Sequence, residues 1–132
     1  MIQRLPFLIL LATGLVALAG CSGGSSLLDT TPIINFIGVN NVPAHEDGTP
    51  AIAVDAGTTV HLKVSITDPG GDSVSVMWSL EDDTSGTLTD PTSRTTDWKI
   101  PASHSHGNIT ATMTATDTAG KSVDGTVVVL VN

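Results

Sequence analysis

Between residues 59 and 67 the chain reads Thr59-Val60-His61-Leu62-Lys63-Val64-Ser65-Ile66-Thr67, a strict alternation of apolar and polar side chains. The pattern returns as Ile109-Thr110-Ala111-Thr112-Met113-Thr114-Ala115-Thr116. Successive side chains point to opposite faces of an extended strand, whereas a helix gathers its apolar residues at spacings of three and four. Beyond residue 31 no long run has helical spacing, so the fold has to be built from strands with one buried and one wet face.

Other segments extend the pattern. Val74, Val76, Trp78 and Leu80 alternate with Ser73, Ser75, Met77 and Ser79, and Thr96, Trp98 and Ile100 repeat it ahead of Pro101. Residues 123–131 are apolar on both faces, which predicts a strand covered on both sides. Residues 33–39, 51–54 and 86–89 are weaker candidates. A total of about seven or eight short strands parted by turn signals predicts an all-β fold, an antiparallel β-sandwich. Asp68-Pro69-Gly70-Gly71-Asp72 separates two of the strands and predicts that 59–67 and 73–80 pair as a hairpin. Trp78 and Trp98 lie in phase with the apolar faces, so they are expected in the core rather than on an exposed sugar platform.

The first 20 residues are of a different kind. Arg4 precedes an apolar run over residues 5–18, which is shorter than the roughly 20 residues needed to span a bilayer and is interrupted by Pro6. This is the layout of an export signal. It ends in Leu18-Ala19-Gly20-Cys21, which resembles the lipobox of bacterial lipoproteins, and Cys21 is the only cysteine in the chain. The resemblance implies cleavage before Cys21, a diacylglyceryl group on its thiol and a partner in the membrane reached through that lipid. Ser22 further resembles the outer-membrane sorting residue of cells with two membranes. Residues 22–31 are mostly Gly, Ser and Thr and read as a tether. The expected organisation is a signal at 1–20, a lipid-anchored linker at 21–31 and one sandwich at 32–132, in the cell envelope. With Cys21 lipidated no thiol remains for a disulfide, so the core has to hold by packing. The four basic residues beyond the signal, Lys63, Arg94, Lys99 and Lys121, face thirteen acidic ones. That balance argues against a nucleic-acid partner.

The segments Asp68-Pro69-Gly70-Gly71-Asp72, Val76-Met77-Trp78, Asp117-Thr118-Ala119-Gly120-Lys121-Ser122 and the ending Thr126-Val127-Val128-Val129-Leu130-Val131 follow one another in a set order. In these residues the chain, from about residue 54 onward, resembles the immunoglobulin-like domains of bacterial surface proteins, especially the polycystic-kidney-disease (PKD) type. Ser79-Leu80-Glu81-Asp82-Asp83 replaces the glycines usual after the tryptophan, and Ile109 stands where a corner tyrosine is usual. The resemblance implies a binding or structural module of the envelope, with an envelope protein among its candidate partners.

Two groups of residues suggest metal chemistry. The topology implied by the resemblance puts the turn with Asp68 and Asp72 at the same end as the turn with Asp117. Three carboxylates begin a calcium shell, although turn chemistry alone also accounts for each aspartate. At the opposite end, His104 and His106 are expected near His45-Glu46-Asp47 and Glu81-Asp82-Asp83, a set that zinc or copper would suit, although no zinc-finger or protease spacing is present. Ser103-His104-Ser105-His106 lacks the strained turn of a hydrolase nucleophile, and no catalytic residues are expected.

Overall fold

A computed structural model describes residues 30–132. The expected signal, Cys21 and the tether up to residue 29 lie outside the described residues. Nine strands follow in chain order: β1 (Ile33–Val39), β2 (Val42–Pro43), β3 (Ile52–Val54), β4 (Thr59–Thr67), β5 (Val74–Leu80), β6 (Thr87–Leu88), β7 (Thr95–Lys99), β8 (Gly107–Asp117) and β9 (Ser122–Val131). They form two facing sheets, one ordered β2-β1-β4-β7-β6 and the other β3-β9-β8-β5. All pairings are antiparallel except that of β3 with β9.

The alternation explains the layering. In β4, Val60, Leu62, Val64 and Ile66 are buried while the residues between them are exposed. In β8, Ile109, Ala111, Met113 and Ala115 are buried and the alternating Thr110, Thr112, Thr114 and Thr116 are half-buried on the outer face. Trp98 on β7 and Trp78 on β5 fill the space between the sheets at 0% and 2% exposure, as their phase predicts. Strand β9 runs between β3 and β8, and Val127, Val128, Val129 and Val131 are all buried.

One expectation is corrected. Strands β4 and β5 are not a hairpin: β4 pairs with β1 and β7 in one sheet, and β5 pairs with β8 in the other. The Asp68–Asp72 turn carries the chain across the sandwich instead. Two strands with one apolar face each bury those faces equally well side by side or face to face, so alternation cannot distinguish the two arrangements. The strand count also rises, because β2 is a two-residue strand reached through a tight turn at Asn40 and Asn41, both at positive φ (49° and 65°).

Both indoles anchor loops as well as filling the core. Trp78 Nε1 donates to the Ser93 carbonyl at 2.9 Å and Trp98 Nε1 to the Ser85 carbonyl at 2.8 Å. The backbone amide of Trp78, on the free edge of β5, donates to the Pro91 carbonyl at 2.7 Å. The segment joining β5 to β7 is thus held on the core at both ends, and part of an edge that would otherwise invite strand pairing is covered.

Candidate functional site

The two acidic turns meet. Asp68 follows β4, Asp72 precedes β5 and Asp117 ends β8, while the register pairs Val74 with Asp117. One carboxylate oxygen from each of the three lies within 4.8 Å of the others, and among the described residues this is the one such group of three or more metal-ligating side chains. A hydrogen bond holds one side of each carboxylate, within the turn for Asp68 and Asp117 and from the opposite turn for Asp72. The amide of Asp72 donates to Asp68 Oδ1 at 3.2 Å, the amide of Lys121 to Asp117 Oδ1 at 2.8 Å, and the Thr118 hydroxyl to Asp72 Oδ1 at 3.2 Å. Their other oxygens differ. Asp68 Oδ2 and Asp117 Oδ2 are buried without a hydrogen-bond partner, and Asp117 as a whole is 5% exposed.

Three other aspartates are fully accounted for by local bonding. Asp47-Gly48-Thr49, Asp82-Asp83-Thr84 and Asp90-Pro91-Thr92 repeat one device, in which the aspartate Oδ1 accepts both the hydroxyl and the amide of the threonine two residues on. The hydroxyl bonds measure 2.7, 2.7 and 2.8 Å, and at Asp82 the Ser85 hydroxyl adds a third bond at 2.9 Å. In each case the threonine hydroxyl is the main cause that holds the carboxyl below its ordinary pKa; at Asp82 the Ser85 hydroxyl comes second. A depressed folded pKa contributes stability above the unfolded value, and that contribution is lost as pH falls through the folded one. A carboxyl-carbon NMR titration is therefore expected to place Asp82 below the ordinary aspartate midpoint, with Thr84→Val moving it back up. An unchanged midpoint in that variant would contradict the assignment.

The histidine loop is not assembled in the same way. Among the described residues His104 and His106 belong to no group of three converging ligands. The His104 ring instead meets the neighbouring Ser105 carbonyl through Nδ1 at 2.5 Å.

A feature that sequence reasoning missed lies on the outer face of the five-stranded sheet. An open groove of about 700 Å³ is lined there by residues that include Asn40, His61, Lys63, Asp90, Thr95 and Asp97. His61 on β4 and Asp97 on β7 are register partners whose side chains touch, and Asn40 Oδ1 accepts the His61 amide at 2.8 Å. The pair is exposed and screened by water, so it adds little to stability. Alternation places His61 on the wet face, but only the β4–β7 register puts Asp97 across from it.

The two packed sheets and the crossing at Asp68–Asp72 define an immunoglobulin-like β-sandwich. The model of the PKD domain matches residues 47–130, well over half of the chain, and the chain belongs to that family. Among solved structures it is similar to a nucleoside hydrolase-related hypothetical protein from Saccharophagus degradans that is associated with carbohydrate metabolism, at 28% identity and a TM-score of 0.65. That match covers 81% of this chain but 27% of the other, so this chain spans about a quarter of that protein. A looser match, at 18% identity and a TM-score of 0.46, is to SGBP-B of the Bacteroides ovatus mixed-linkage glucan utilization locus, solved with a mixed-linkage heptasaccharide; it covers 78% of this chain and 24% of the other. No curated protein matches the chain.

Proposed function

We propose that this chain is a lipid-anchored, non-catalytic module of the cell envelope, a PKD-type sandwich held off a membrane by a short tether and used for binding or spacing. The observation that carries the reading is the order of parts: an export-type segment, a lipobox-like Leu18-Ala19-Gly20-Cys21, a Gly/Ser-rich stretch, and then a domain of the PKD family. Ile33 at the start of β1 pairs with Thr67 at the end of β4, so the chain enters the sandwich at one end of the five-stranded sheet, a position compatible with a tether. Several acyl chains on Cys21 would hold the protein stably, since each buried methylene contributes about 0.8 kcal/mol and a single chain is marginal. In a cell with two membranes, Ser22 favours the outer one.

The test is metabolic labelling with a palmitate analogue followed by membrane fractionation. The full chain is expected to carry label and sediment with membranes, and Cys21→Ser is expected to lose the label. An unlabelled wild-type chain would end this reading.

A further inference from the structure

We propose that Asp68, Asp72 and Asp117 form a calcium site that ties the β4–β5 crossing to the β8–β9 turn. Three carboxylates converge with one oxygen each inside 4.8 Å. Two oxygens bound to the same calcium are separated by at most about 5 Å, twice the bond length, so the spread suits one ion. Crowding alone does not make a site, since exposed acids gather on many surfaces. The second observation is the condition of the oxygens. Asp117 is 95% buried by its 5% exposure, and its Oδ2 has no partner. A buried carboxylate oxygen without a donor is costly, and a cation removes the cost.

The described residues hold three buried side-chain oxygens without partners: Thr30 Oγ1, Asp68 Oδ2 and Asp117 Oδ2. Two belong to the cluster, and Thr30 stands just ahead of β1, whose Ile33 pairs with Thr67 beside Asp68. The unsatisfied oxygens therefore gather at one end of the sandwich, while Asp47, Asp82 and Asp90 are satisfied by their threonines. Hard anionic oxygens select calcium over zinc, which favours nitrogen and sulfur. Magnesium keeps several waters and uses one or two carboxylates, so a set of three favours the larger ion. The site lies at the end where the chain enters β1, and an ion there holds together the two connections on which the β5–β8 pairing starts.

The experiment is calcium titration by calorimetry, with thermal unfolding alongside, on the full chain stripped with chelator and kept in a non-ionic detergent. Binding of about one calcium per chain is expected, with the Tm rising by roughly 10 °C at 100 times the Kd. Asp72→Asn keeps the shape of a half-buried residue and is expected to weaken binding by about tenfold or more, as is Asp117→Asn. Asp97→Asn, on the far groove, should bind as the wild type does. The inference is independent of lipidation, so Cys21→Ser should respond as the wild type. No heat and no Tm shift at millimolar calcium would overturn the proposal, as would binding that survives both aspartate substitutions or an equal response to magnesium.

Discussion

Trp98→Ala is expected to lower stability by about 3–5 kcal/mol, the usual cost of removing a buried indole from a packed core. Trp98 is 0% exposed, sits opposite Val60 and Leu88 on its two neighbouring strands, and donates to the Ser85 carbonyl at 2.8 Å. Truncation leaves a cavity and also an unpaired carbonyl in a segment whose own Ser85 is 2% exposed. A domain of this size has about 5–15 kcal/mol in total, so the midpoint should fall by roughly 15 °C or more. Calorimetry and urea titration measure it. Trp98→Phe keeps most of the volume and isolates the hydrogen bond, with an expected loss of about 1–2 kcal/mol. If alanine costs under about 1 kcal/mol, the indole is not the anchor assigned to it.

Gly86→Ala is expected to cost about 3 kcal/mol, with backbone strain and steric overlap both contributing. Gly86 has φ of +116°, and a Cβ built there would lie 2.2 Å from the Lys99 carbonyl oxygen, a backbone atom of a paired strand that cannot swing aside. Gly86 directly follows Ser85, so the same displacement loosens the acceptor of Trp98. The comparison is Gly120→Ala, where φ is +87° but the space is open. Only the left-handed penalty applies there, about 1 kcal/mol. Equal losses at the two glycines would show that the approach to Lys99 is not what demands glycine at 86.

Much of the architecture was legible because a strand writes its environment into every second residue. Val60 through Ile66 and Ile109 through Ala115 announced their buried face, and the apolar run at the end of β9 announced a well-covered strand, with Val127, Val128, Val129 and Val131 buried. The same logic put both tryptophans inside. Strand β2 escaped notice because two residues carry no period. Its only signal was Asn40-Asn41, a pair that tolerates the left-handed backbone of a tight hairpin turn. The acidic cluster was half legible. That Asp68, Asp72 and Asp117 share an end followed from likeness to a known topology, but the buried, partnerless state of Asp117 Oδ2 depends on what packs around it.

Sequence alone determined which residues face inward and where the turns fall, because strand geometry and turn propensities act over neighbouring residues. The tertiary structure decided which strands pair. Alternation in β4 and β5 is satisfied by either a shared sheet or opposed sheets, and the choice rests on contacts far apart in the chain: Leu62 with Thr96, and Val76 with Ala115. The same long-range register set His61 against Asp97 and drew three aspartates from two separate turns to within one ion's reach.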